Sequence, residues 1–363
     1  MARILIVGDA ASPFWERGLV GTRAGHRVWW FSDARRALPG VEEMLHPPPA
    51  PRRAAGAVRA LALARMIERL RPDLVHVHFA LQGLASVALW RAQRLVLTVM
   101  GGDVQRAQPQ LGSARKRWLL RRTLARARVV TCQAAALERD ALACGARPEA
   151  LRRVTWGVDA RRFCPDLETA ALRRRYQLGA DEPVLFCARL CQPLYNKELV
   201  LRAFARAARS GAPGTLLIAT LHADPGTLGR LRALSEELEV ARRVRFLPPI
   251  GHEEMPLHFA LAALTLSLPA ADGLPQSVLE AMAAGSYPIV GDLAAYDELL
   301  LDREHGRRVP FAVDALSAAI GEALADEAGR REVAARNRER VLREWGTDAQ
   351  AALMNRIYAE VLA

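Results

Sequence analysis

Two carboxylates eight positions apart, Asp272 and Glu280, lie in a stretch whose other residues supply the rest of a ligand site. The short apolar run Leu264–Leu268 reads as a buried strand, and the loop after it, 269–275, carries Asp272 and Gly273. From Gln276 or Ser277 to Ala284 the residues are helix formers, stopped by Gly285, a residue that suits the position just past a helix end. Strand, loop, helix is the unit that lays a phosphate against a helix N-terminus, where unpaired N–H groups and the positive end of the dipole draw anions. Asp272 in the loop and Glu280 in the helix would face one crevice and accept hydrogen bonds from hydroxyls. The expected ligand carries a phosphate between two polyols.

An earlier stretch repeats the plan. Pro183–Ala188 reads as a strand, Arg189 follows, and Lys197 heads a helix through Ala208. Of the 51 basic residues only Lys116 and Lys197 are lysine, so a lysine surviving in an arginine-rich chain marks a position held by its chemistry. Two cations placed there can neutralise a departing diphosphate and so lower the barrier to its departure.

Asp272-x7-Glu280, followed by Ala281-Met282-Ala283-x-Gly285-x-x-Pro288-Ile289-Val290, resembles the donor-site signature of the retaining GT-B glycosyltransferases, glycosyltransferase family 4, with Asp where the family usually has Glu. Further matches follow the same order along the chain. Asp73-Leu74-Val75-His76-Val77-His78 is similar to the family's strand of that type, and Thr98–Asp103 to its acceptor loop, with Met100 where His or Trp is usual. Trp156-Gly157-Val158-Asp159 with Phe163-x-Pro165 resembles the element that closes the first domain, and Arg189 through Lys197 the pyrophosphate element, with Ala188 and Glu198 in place of glycines.

The resemblance implies an α/β fold of the GT-B kind, two Rossmann-like doubly wound domains facing an interdomain cleft. Residues 1–165 would be the acceptor-binding domain, with a terminal helix, 345–363, packing back on it, and 166–344 the nucleotide-sugar domain. It also implies roles. Arg189 and Lys197 would bind the pyrophosphate, Asp272 the sugar hydroxyls and Glu280 the ribose, while Gly273, Leu274, Gln276 and Ser277 line sugar and phosphate. Pro275 has no N–H to give. Ile250 lies in the segment 248–251 expected to meet the nucleobase; His78 is a catalytic candidate at a strand end, and Ser12, Gly102 and Asp103 are acceptor-site candidates. Asp103 could instead cap the next helix. The reaction expected is retaining transfer from a nucleotide-diphosphate sugar to a hydroxyl acceptor, with no metal and no cofactor. An inactive GT-B scaffold and a GT-B sugar-nucleotide epimerase are the other readings of these residues.

The rest of the chain must position these groups. Ala2–Val7 and His26–Phe31 read as strands, but the loop between them lacks G-x-G-x-x-G, which argues against a dinucleotide dehydrogenase. Alternation puts His76 and His78 on one side of their strand. Ala55–Leu70 reads as an amphipathic helix, and Ser113–Arg128 as a basic one carrying Trp118, Leu119 and Leu120, a combination found in helices that lie on membrane surfaces.

With 363 residues, two domains are expected, and 51% hydrophobic with 25% charged residues is ordinary for a globular chain. No apolar run approaches the ~18–20 residues of a membrane span, and the N-terminus reads as a strand rather than a signal peptide. Five scattered cysteines read as reduced, which suits the cytoplasm. Charge is divided unevenly: residues 1–165 hold 28 Lys+Arg against 12 Asp+Glu, and the remainder 23 against 27. The basic half points to an anionic membrane surface, a lipid phosphate or nucleic acid. No stacking motif or basic repeat accompanies the charge, so nucleic acid is set aside in favour of a lipid-linked acceptor at the inner face of a membrane.

Overall fold

The structure, a computed structural model, describes residues 1–11, 19–79, 88–104 and 112–363. Its strands are short runs of Leu, Ile, Val and Phe buried on both faces, which is what a parallel sheet covered by helices on each side requires. The first sheet comprises β1 (Arg3–Val7), β2 (Arg27–Phe31), β3 (Glu43–Leu45), β4 (Leu74–His78), β5 (Leu95–Thr98), β6 (Val129–Cys132) and β7 (Leu151–Arg153). All pairs are parallel, in the order β3-β2-β1-β4-β5-β6-β7. Its helices include α1 (Ala55–Leu70), α2 (Ala114–Arg126) and α3 (Ala135–Ala143). Ser113 caps α2, its hydroxyl accepting from the Lys116 N–H.

The second sheet repeats the plan with β8 (Val184–Cys187), β9 (Thr215–Ala219), β10 (Val244–Leu247), β11 (Leu264–Ser267), β12 (Tyr287–Gly291) and β13 (Arg307–Val309). The order is β10-β9-β8-β11-β12-β13, again parallel throughout. The helices are α4 (Ala170–Tyr176), α5 (Lys197–Arg209), α6 (Pro225–Glu237), α7 (Met255–Leu261), α8 (Gln276–Ala283), α9 (Val313–Ala325) and α10 (Glu327–Trp345). In both sheets the strand order reverses beside the first strand, between β1 and β4 and between β8 and β11. Doubly wound sheets bind ligands at such reversals, beyond the carboxyl ends of the strands.

The chain divides into two compact units, Met1–Trp156 with Asp348–Ala363, and Gly157–Thr347. Residues 157–165, which the sequence reading assigns to the first domain, sit in the second unit, where Val158 and Phe163 join a core with Phe186 and Phe259. Gly346, in extended conformation, separates α10 from the last helix, α11 (Thr347–Leu362). Trp345 therefore ends one helix rather than opening the next. Met354, Ile357, Tyr358 and Val361 of α11 pack with Ile4, Ile6, Val28 and Trp30 of the first unit.

A chain of buried polar groups crosses the first sheet. The Tyr358 hydroxyl and His76 Nδ1 are 2.6 Å apart, His76 Nε2 and Thr98 Oγ1 2.8 Å, and Thr98 Oγ1 and Thr131 Oγ1 2.7 Å. Removing the hydroxyl with Tyr358→Phe strands a buried ring nitrogen and is expected to cost about 1–3 kcal/mol. A lower urea midpoint at unchanged m would show it; an unshifted midpoint would mean that His76 had found another partner.

Burial, and after it the neighbouring His78, pushes the His76 pKa well below the usual histidine range; burial likewise lowers that of His258 in the second unit. In the unfolded chain both take up a proton near pH 6.5. Between that value and their lower folded values the unfolded state holds the extra protons, so stability rises with pH through that window and falls on acidification. The urea midpoint is expected to be lower at pH 5.5 than at pH 7.5. Equal midpoints would mean that the folded state accepts these protons as readily as the unfolded chain.

Candidate functional site

Loops leaving β8 and β11, the two strands at the second reversal, are tied to one another. The Asn196 side-chain amide donates to Leu268 O at 2.9 Å, and the Ala270 N–H to Leu194 O at 2.7 Å. Asn196 has a positive φ of 49°, which turns the chain into α5 so that Lys197 is its first residue. On the other loop, Pro275 precedes α8 and offers no side-chain cap to its first N–H groups. Gly285, with φ +84°, ends that helix region as its sequence suggests.

Arg189 and Asp272 meet between these loops. Arg189 Nη1 lies 3.0 Å from Asp272 Oδ2 and Nη2 3.2 Å from Oδ1, a forked pair whose side chains are only 15% and 11% exposed. Arg189 Nη1 also donates to Ser277 Oγ at 3.3 Å, in the first turn of α8, and the guanidinium stacks 4.9 Å from the Tyr195 ring centre. Burial works most strongly against its charge, but Asp272 together with Tyr296 and Tyr195 outweighs it, and the Arg189 pKa is raised. The Gly273 N–H donates to Asp272 Oδ1 at 2.9 Å, and the buried Tyr296 hydroxyl to Oδ2 at 3.3 Å. Glu280 is half-buried on the face of α8 that carries Ser277, three positions on.

Lys197 is 4% exposed, its ammonium donating to the Cys187 carbonyl at 3.3 Å and lying 3.6 Å from the Cys187 sulfur, at the carboxyl end of β8. The Gln276 side-chain nitrogen donates to Gly157 O at 2.9 Å; its oxygen is buried and, among the described residues, has no partner. Ile250 is half-buried just beyond β10, packed against the core that holds Leu247 and Phe259. Neither Tyr296 nor Tyr195 was marked by sequence pattern; each is a lone aromatic in a loop or short turn, and only the fold brings it to the ion pair.

In the first unit, His78 ends β4, almost buried, its ring edge-on to His76 (centroids 4.6 Å apart), Trp30 (6.1 Å) and Trp156 (6.1 Å). Both histidines lie on one side of the strand, as alternation requires. Gly8, past the end of β1, lies against it: a Cβ there would stand 3.1 Å from that of His78. Asp103 is fully buried, and its Oδ1 accepts the N–H groups of Met100 and Gly101, both at 3.0 Å. Its carboxylate thus builds the loop after β5, in which Gly102 is half-exposed. Ser12 lies outside the described residues. Among the described residues no group of three or more His, Cys, Asp or Glu side chains is arranged to hold a metal ion.

Two doubly wound parallel sheets, the second carrying a buried cation–carboxylate pair and an uncapped helix at its strand reversal, define a two-domain α/β protein. Residues 20–162 match Glycosyltransferase Family 4, and residues 168–340 match Glycosyl transferases group 1. The chain belongs to glycosyltransferase family 4, of the GT-B class. It is 34% identical over 187 residues to the GDP-mannose-dependent alpha-(1-6)-phosphatidylinositol monomannoside mannosyltransferase of Mycolicibacterium smegmatis, covering 49% of this chain and 48% of that one. The chain spans about half the length of the curated relatives it matches first. Among solved structures it is similar to a sucrose-phosphate synthase from Thermosynechococcus elongatus (21% identity, TM-score 0.79, 99% of each chain). It is also similar to Anabaena Alr3699/HepE in complex with UDP and glucose (16% identity, TM-score 0.79, 99% of this chain and 100% of that one).

Proposed function

We propose that this protein transfers a sugar from a nucleotide-diphosphate donor to a hydroxyl acceptor with retention of configuration. The observation that carries this reading is the forked Arg189–Asp272 pair beside the uncapped start of α8, with Lys197 heading the adjoining helix. A nucleoside diphosphate fits such a place: its charge meets Arg189, Lys197, the Leu274 N–H of the loop and the N–H groups of Gln276 and Ser277 at the start of α8, while Gly273 lines the sugar. Asp272 then takes the sugar hydroxyls, Glu280 the ribose, and backbone near Ile250 the base. As the glycosidic bond breaks, electrons pass to the diphosphate, and the two cations hold the charge that develops. The acceptor attacks from the same face, and a leaving-phosphate oxygen takes its proton, so no carboxylate nucleophile and no cofactor enters. His78, Ser12, Gly102 and Asp103 are proposed for the acceptor side, Asp103 through the loop it shapes.

Thermal shift with UDP, GDP and ADP, followed by UDP-glucose and GDP-mannose, tests the donor site. A ligand present at 100 times its Kd stabilises the protein by about 2.7 kcal/mol, easily seen as a raised Tm. If no nucleotide raises Tm, and no sugar is released or transferred, the reading falls and the inactive scaffold takes its place.

The acceptor we propose is lipid-linked and reached from an anionic membrane surface. Support comes from α2, where Trp118 is 51% exposed among Arg115, Lys116, Arg117, Arg121 and Arg122, with Leu119 and Leu120 turned into the core. A further support is the lipid acceptor named for the mycobacterial relative. No helix among the described residues is long and apolar enough to cross a membrane. Vesicles containing anionic phosphatidylglycerol should pull the protein down at low salt and release it at high salt. Trp118→Ala with Arg122→Ala should weaken this binding; equal binding to neutral phosphatidylcholine vesicles would remove the electrostatic argument.

A further inference from the structure

Both oxygens of the Asp272 carboxylate are engaged. A carboxylate offers about four lone-pair positions, and here Oδ1 accepts from the Gly273 N–H (2.9 Å) and Arg189 Nη2 (3.2 Å), Oδ2 accepts from the Tyr296 hydroxyl (3.3 Å), and Arg189 Nη1 stands against Oδ2 as an ion pair at 3.0 Å. To accept a hydrogen bond from a sugar it must lose a partner. Gly273 N–H is backbone and follows Asp272 directly. Tyr296 is fully buried in the turn after β12, and its oxygen lies 3.4 Å from Ser267 Oγ. Since the phenol's one proton goes to Asp272, the Ser267 hydroxyl is left to donate to the phenolic oxygen, which fixes the direction of the chain Ser267 to Tyr296 to Asp272. Burial raises the Tyr296 pKa, as does Asp272 after it, so the phenol keeps its proton and remains a donor. Arg189 alone has a second anion to turn to once a diphosphate enters.

Resting on the donor-site reading above, we propose that Tyr296 is a positioning residue for recognition of the donor's sugar. When the diphosphate draws Arg189 off Asp272, Tyr296 and the Gly273 N–H keep the carboxylate in place, and the two positions Arg189 vacates take the sugar hydroxyls. The bare nucleoside diphosphate has no sugar to offer Asp272 and therefore does not depend on Tyr296.

Tyr296→Phe keeps the ring and removes the hydroxyl. Calorimetric titration with UDP and GDP, and then UDP-glucose and GDP-mannose, compares diphosphate with sugar nucleotide on the same base. For whichever base binds the wild-type protein, the expected result is a diphosphate Kd changed less than twofold and a sugar-nucleotide Kd weakened about tenfold, the scale of one hydrogen bond to a charged group. In an Asp272→Asn background the same substitution is expected to add less than twofold, because its effect runs through that carboxylate. Equal weakening of both ligands, no weakening of either, or the full tenfold loss in the Asp272→Asn background would each overturn the assignment. If Tyr296→Phe alone does not fold, Tyr296→Phe with Ser267→Ala removes both hydroxyls and is read in the same way. Wild-type protein that binds none of the four nucleotides would instead sink the donor-site reading itself, an outcome visible before any variant is made.

Discussion

Alanine at position 197 is expected to lower the rate of sugar transfer by about 10²–10³-fold, the usual loss when one preorganised donor is taken from a developing anion. Lys197 is 4% exposed, and its contacts with the Cys187 carbonyl and sulfur, both neutral acceptors, account for two of three ammonium protons. A buried ammonium so lightly compensated does little for folding, since replacing buried charge by an apolar group of similar size is often neutral or stabilising. Lys197→Met, which keeps the length of the side chain, is therefore expected to show the same loss of turnover with a Tm that holds or rises. Transfer at the wild-type rate in either variant would remove Lys197 from the leaving-group site. Loss of turnover together with a collapse of Tm in both would mean that the lysine serves the fold.

Arg189→Leu is expected to be the most destabilising substitution in the site. It leaves Asp272, whose side chain is 11% exposed, with two neutral donors and no counter-charge; breaking such a buried pair from one side costs about 3–5 kcal/mol. Removing both partners costs far less, so Arg189→Leu with Asp272→Leu should recover most of the loss. Urea unfolding of the two single variants, the double variant and the wild type gives the coupling directly. A double variant no more stable than Arg189→Leu alone would mean that the arginine stabilises through Ser277 and Tyr195 rather than through the carboxylate.

The donor-side elements were legible because each has a local signature. The apolar run before 269, the turn residues, the helix formers from Gln276 and the glycine at 285 fix strand, loop and helix within a residue or two, and the spacing of Asp272 and Glu280 follows from that unit. The strands β3 and β13 were not legible. Each is three residues long at the edge of its sheet, and Glu43-Met44-Leu45 and Arg307-Arg308-Val309 show too little apolar pattern to signal a strand. Tyr296 was missed for another reason: it reaches Asp272 across 24 positions, a proximity made by β12 running beside β11, and no local period records it. Asp103 could be read as either a cap or an acceptor contact, and only its burial shows that its oxygen is committed to its own loop. The rarity of lysine singled out Lys197 in the sequence; its burial could not be read there.

The bond between His76 and Tyr358 joins residues 282 positions apart. Since the whole of Gly157–Thr347 intervenes, the second unit is an insertion within the first. A nascent chain can therefore complete the later-starting unit before the earlier one, whose inner histidine waits for a phenol made 282 positions later. Until α11 arrives, Ile4, Ile6, Val28 and Trp30 have an open flank, so the half translated first is the half that most needs a chaperone's cover.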